Sequence, residues 1–191
     1  QTASFKLTER IGNYENSAFD IRNFVENAIK NGITKAELFI SSAGGSTIEA
    51  QEMVLELKKF ESVQITVGAL AASAATYILT QFPSSAYPES QFMIHKPSMS
   101  SYGTVDEIKA DLKLLENTQE IYRKAYAKAF DKTEAEIDEL WKNDYWMTAE
   151  EAKSIGLIQN IITEELSVDE QAIQMLSACG APKIPLTNKP E

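Results

Sequence analysis

A chain of 191 residues with 43% hydrophobic and 24% charged side chains has the composition of one globular domain, large enough to bury a core of its own. Its formal charge, 18 − 28 = −10, argues against a general nucleic-acid binder, because neutralising phosphates takes Lys and Arg. The single cysteine, Cys179, excludes an intramolecular disulfide, and no apolar run reaches the length of a membrane span. With no secretory signal recognisable, the expected location is the cytoplasm of a bacterial cell, whether the chain is host- or phage-encoded.

The first element expected is an edge strand over Ser4–Ile11, where Phe5, Leu7 and Ile11 alternate loosely with polar residues. Ser17 opens a helix whose Ala18, Ile21, Val25 and Ala28 share one face, and Gly32 ends it. Ala36–Ser41 reads as a buried strand. Ser46-Thr-Ile-Glu49 is a capping box, with a helix running to about Phe60. Val63–Val67 is a second buried strand, and the small residues of Ala69–Leu79 predict a buried helix. Ala86–Tyr87 forms a very short strand and Gln91–His95 a third clear one.

Thr104-Val-Asp-Glu107 is another capping box, and the pattern after it runs unbroken to Phe130, about 40 Å of helix. A helix of that length projects from a compact domain. Two more boxes, Thr133–Glu136 and Thr148–Glu151, open short helices, and Leu157–Ile162 is a last apolar strand. A fifth box at Ser167–Glu170 opens a short helix, followed by a Pro-containing flexible tail from Gly180. Strands alternating with helices predict an α/β fold with a mostly parallel sheet. The expected organisation is a domain over 1–165 and a helical, flexible appendage over 166–191.

Four segments carry residues suited to chemistry. His95, the one histidine, ends the Gln91–His95 strand, and strand C-termini are where open α/β sheets put their ligands. Ser73 follows a strand and stands near a helix start, where amides favour negative charge; tight helix packing would use the same small residues. Gly44-Gly45 follows a strand and could present backbone amides to a carbonyl oxygen, although a plain strand-to-helix turn needs glycine as well. Asp144 falls between two predicted helices, and spacing alone does not single it out among 28 acidic residues.

Taken together, from about Ala36 to Thr163, these segments resemble the Clp proteolytic-subunit family of serine peptidases. Ser42-Ala-Gly-Gly-Ser46 is similar to the family's Ser-Pro-Gly-Gly-Ser loop, and Leu70-Ala-Ala-Ser73 to its Ala-Ala-Ser nucleophile turn. Met93-Ile-His95-Lys-Pro97 is similar to Met-Ile-His-Gln-Pro, the segment from Asp144 to Ala152 to the one carrying the family's aspartate, and Gly156-Leu-Ile to Gly-Leu-Val. The resemblance implies the ClpP/crotonase-type α/β fold, a mostly parallel sheet with flanking helices and a projecting handle helix. It implies Ser73 as nucleophile, His95 as base and Asp144 as the residue orienting it. It also implies an oxyanion hole from Gly45, with Gly44 as a further candidate, and Ala74, and substrate contacts from Ser46, Thr47 and Ser98. No metal and no cofactor is implied. The family assembles as rings, in which seven subunits and stacked pairs are expected.

The departures are local. Ala43 replaces a Pro, and Ala74-Ala75 replaces a Met-Gly pair, a pattern more similar to phage and prophage relatives. The resemblance implies a Clp-class ATPase partner. The segment before Ala36, with no clear match to the axial loop that engages one, argues against it. Two readings of other classes compete with a peptidase: an acyl-CoA hydratase or isomerase of the crotonase type, and a non-catalytic scaffold.

Overall fold

The computed structural model describes residues 1–12 and 16–163. A parallel sheet runs through β1 (Thr2–Leu7), β2 (Lys35–Ser42), β3 (Ser62–Ala72), β4 (Ser84–Ala86) and β7 (Asn160–Ile161), in that spatial order. β2 buries every second residue (Ala36, Leu38, Ile40 and Ser42), as expected of a strand whose two faces meet different surroundings. β1 lies at the sheet edge, in register with β2 from Thr2↔Lys35 to Leu7↔Ile40. It ends before Ile11, which returns to the sheet only as an isolated bridge to Gly45.

β3 has two partners in succession. Ile65–Val67 pair with β4, and Leu70–Ala72 pair with β5 (Gln91–Ile94). Gly68 lies at the changeover, where a Cβ would come 2.5 Å from the ring of Phe39. β5 in turn pairs antiparallel with β6 (Tyr145–Thr148). Thus β5 and β6 form an extension off the main sheet that starts at the C-terminal end of β3.

This arrangement corrects the expected helix over Ala69–Leu79. Residues up to Ala72 belong to β3, and only α3 (Ala74–Leu79) is helical. Alanine favours helices by less than 1 kcal/mol per residue over most others, and ladder hydrogen bonds on both sides of Ala71 outweigh that preference. β6 was not among the expected strands. It is four residues long and exists by pairing with β5, so it has no periodicity of its own to be read.

Helices α1 (Ala18–Lys30) and α2 (Thr47–Leu57) pack against one another and the sheet, burying Ile21, Val25, Met53 and Leu57. α4 (Val105–Phe130) starts where the box at Thr104 places it, with Thr104 as its N-cap. Its buried residues, Thr118, Tyr122, Tyr126 and Phe130, recur every fourth residue in its second half only. There they meet Tyr77, Trp141 and Ile137 of α5 (Glu134–Leu140), among others. The first half extends outward, with Val105, Ile108 and Leu112 exposed.

The boxes at Thr104/Glu107, Thr133/Glu136 and Thr148/Glu151 all form, the last opening α6 (Ala149–Ser154). In each, the cap residue's backbone amide holds the glutamate below the ordinary carboxylate range. The box at Ser46 is only half made. Ser46 Oγ accepts from the Glu49 amide, but the Glu49 carboxylate accepts the Ala18 amide at 2.6 Å and so ties α2 to the start of α1. The expected last strand is cut to Asn160–Ile161, because the Leu157 and Ile158 amides both donate to Ala152 O at the end of α6 rather than to a neighbouring strand. The expected helix at Ser167–Glu170 and the tail lie outside the described residues.

Candidate active site

Ser73 joins β3 to α3 with φ 55° and ψ −126°, one of two non-glycine residues at positive φ among those described. Such a backbone persists only where its surroundings hold it. The Ser73 amide donates to Met93 O at 2.8 Å, continuing the β3–β5 ladder by one residue. Its carbonyl accepts from the Thr76 amide at 2.9 Å and from Thr76 Oγ1 at 2.6 Å. With the Thr76 proton so used, Tyr126 Oη donates to Thr76 Oγ1 at 2.7 Å. Burial pushes the Tyr126 phenol well above its ordinary pKa, which keeps it a donor.

Tyr126→Phe is therefore expected to lower stability by about 1 kcal/mol, the net worth of one buried hydrogen bond. Thermal melting against the parent measures it. A variant as stable as the parent would mean that this bond contributes nothing.

His95 follows β5 directly. Because Ala72 pairs with Met93, the residues just past these two parallel strands are neighbours, and Ser73 Oγ lies 2.7 Å from His95 Nε2. For Ser73 to donate in this contact, the ring proton must sit on Nδ1. Asp144 precedes β6, and the Ile94↔Tyr145 pairing sets it opposite His95. Nδ1 and Asp144 Oδ1 are 3.9 Å apart, a charge contact too long for a hydrogen bond, with the aspartate side chain 62% exposed.

Gly44 and Gly45 have φ of 88° and 152°. Both are sterically required: a Cβ on Gly44 would lie 2.7 Å from Ser73 Cβ, and one on Gly45 would lie 2.2 Å from Ile11 O. The Gly44 amide donates to Ser42 Oγ at 3.1 Å. Ala74 is fully buried as the first residue of α3.

A cavity of about 350 Å³ holds Ser73, His95, Gly44, Gly45, Thr47 and Ser98. A second, of about 410 Å³, adjoins it and shares Gly45, Thr47 and Ser98. Ser46 lines only the second. Its amide donates to Ile11 O and its hydroxyl caps α2, so its first role is to hold the loop. Arg10, which the sequence reading did not single out, lines both cavities. No local pattern marks it, because only the long-range bridge between Ile11 and Gly45 brings it there. Among the described residues, no group of three His, Cys, Asp or Glu side chains could hold a metal ion.

A mostly parallel α/β sheet with flanking helices brings a serine into contact with a histidine at its strand ends, an arrangement suited to a serine-type peptidase. The model of the Clp protease family matches residues 19–165, and the chain belongs to that family. Proteolytic subunit 3 of the ATP-dependent Clp protease of Rhizobium meliloti (strain 1021) is 30% identical over 135 residues, 66% of this chain and 67% of the relative. Subunit 2 from Prochlorococcus marinus (strain NATL2A) is 33% identical over 132 residues, 66% of each chain. The subunit from Bacteroides thetaiotaomicron is 28% identical over 135 residues, 67% of this chain but 60% of the relative. Alignment with such relatives thus leaves between about a third and two fifths of their length unmatched. No helix among the described residues is long and apolar enough to cross a membrane.

Proposed function

We propose that the chain hydrolyses peptide bonds through Ser73, His95 and Asp144, in a site built at the ends of β3 and β5. Ser73 Oγ attacks the scissile carbonyl carbon as His95 Nε2 takes its proton. The oxyanion is met by the amides of Gly45 and Ala74. His95 then gives the proton to the leaving amine, whose C–N bond breaks to leave an ester on Ser73. Water deprotonated by His95 hydrolyses that ester and restores the serine. Asp144 holds the Nδ1–H tautomer and stabilises the imidazolium. The single observation that carries this reading is the 2.7 Å contact from Ser73 Oγ to His95 Nε2 beside an open cavity.

Substrate backbone is expected to lie as an added strand between the segment after Gly45 and that after Pro97, with Thr47 and Ser98 at its sides. Residues 1–165 form the peptidase unit in this reading, with 166–191 as an appendage. The exposed Val105, Ile108 and Leu112, at helical spacing on the outward half of α4, support assembly into a ring whose helices meet in a second ring. The relatives' names describe ATP-dependent proteases. Whether an ATPase serves this chain is decided by adding one to a folded, tagged substrate: stimulation establishes the partnership, and no change supports an ATPase-independent, phage-type role.

A fluorophosphonate probe tests the nucleophile directly. The expected result is a single adduct, located on Ser73 by peptide mass spectrometry, that is lost in Ser73→Ala. No adduct, with coenzyme A retained on the protein instead, would point to acyl-CoA chemistry on the same fold.

A further inference from the structure

Arg10 stands apart from the other residues of the cleft. The chain carries ten more acidic than basic residues, yet among the described residues no carboxylate lines either cavity, and Arg10 is the one ionised side chain common to both. Among the described residues it has no ion-pair partner, whereas Arg22 and Arg123 are each paired to glutamates. The nearby Glu9 and Glu49 line neither cavity, and the Glu49 carboxylate is taken by the Ala18 amide.

Its position is fixed by backbone rather than by chance. The Ile11 amide donates to Gly44 O at 2.9 Å and Ile11 O accepts the Ser46 amide at 3.0 Å, so the segment beginning at Arg10 is stitched across the Gly44–Ser46 loop. The Arg10 stem lies against Gly45, whose missing Cβ would come 3.0 Å from Arg10 Cγ. An arginine that lines both cavities beside the Gly44–Ser46 loop, with no ion-pair partner among the described residues, is arranged to meet an anion on the substrate.

We propose that Arg10 is a specificity-determining residue that selects peptides carrying an acidic side chain, Glu or Asp, within a few residues of the scissile bond. This deepens the peptidase reading and rests on it. The contact is exposed and therefore modest. An ion pair in such a setting favours the acidic peptide by about three- to fivefold, and salt weakens it.

The test uses one fluorogenic peptide scaffold in which each position flanking the cleaved bond carries Glu, Gln or Lys in turn. The readout is the ratio of kcat/KM for the Glu peptide over the Gln peptide within each protein, so that any general loss in a variant cancels. For the parent the ratio is expected to reach about three to five at one or more positions, mainly through KM, and to fall toward one at 0.5 M salt. Arg10→Gln is expected to bring it to about one, and Arg10→Glu to invert the preference in favour of Lys. A parent with no acidic preference, or a preference that survives Arg10→Glu, overturns the proposal while leaving the peptidase reading intact. A parent that hydrolyses none of the peptides overturns both.

Discussion

Ser73→Ala is expected to lower hydrolysis of an unstructured protein or peptide by about 10⁶-fold, the loss met when the nucleophile of a comparable triad is removed. The size follows from the division of labour. Without Ser73 Oγ there is no covalent ester, and His95 has no hydroxyl to deprotonate, so the base becomes idle together with the nucleophile. What remains is the contribution of amides and binding, about 10³-fold over water. The protein itself should change little. Alanine keeps the Cβ that already meets Gly44, the backbone amide still donates to Met93, and the carbonyl still accepts from Thr76. The hydroxyl loses one partly exposed contact, to His95. A melting temperature within about 4 °C of the parent is therefore expected. Hydrolysis that persists in a folded Ser73→Ala protein would mean that another group attacks the peptide, and the reading of the site would fall.

Asp144→Asn should have the second largest effect, about 10⁴-fold in kcat. The argument is electrostatic and conformational. An amide in place of the carboxylate can present its NH2 to Nδ1, favouring the tautomer with the proton on Nε2, which faces Ser73 and can no longer accept from it. The substitution also removes the negative charge that stabilises the imidazolium. In the structure the Asp144 carboxylate is 3.9 Å from Nδ1 and largely exposed, so the full effect requires that it close to hydrogen-bond distance when substrate is bound. Steady-state kinetics of Asp144→Asn against Asp144→Ala measure this. If both variants lose less than about tenfold, Asp144 neither orients nor stabilises the histidine, and the site works as a Ser73–His95 pair.

The two residues differ in how openly the sequence displays them. His95 closes a recognisable apolar strand, so its location follows from local pattern; Ser73 follows the Val63–Val67 run in sequence, but only the β3–β5 pairing extends that strand to Ala72 and sets Ser73 at its end. Asp144 has no such signal, since β6 is four residues long and owes its existence to pairing with β5; only the resemblance of the surrounding segment picks it out. Arg10 has neither pattern nor motif. The misreading of Ala69–Ala72 as helix has the same root as the missed β6: in both places pairing with β5 outweighs local preference. At Ser46 the local signal is correct for the serine and wrong for Glu49: the Ser46 amide is taken by Ile11 O, and the Glu49 carboxylate accepts the Ala18 amide instead.

Helix starts at Thr104, Thr133 and Thr148, the buried face of α1 and the runs of β2 and the first part of β3 are encoded within a few residues, because capping and amphipathic burial act over one or two turns. Nothing so local could bring residues 10, 44, 73 and 95 to one cavity and set 144 beside the histidine. That convergence comes from β3 exchanging β4 for β5 at Gly68, from the registers Ala72↔Met93 and Ile94↔Tyr145, and from the Ile11–Gly45 bridge. Strand pairing is a contact between distant parts of the chain, and its energy depends on which partner arrives and in which register, so it belongs to the folded whole.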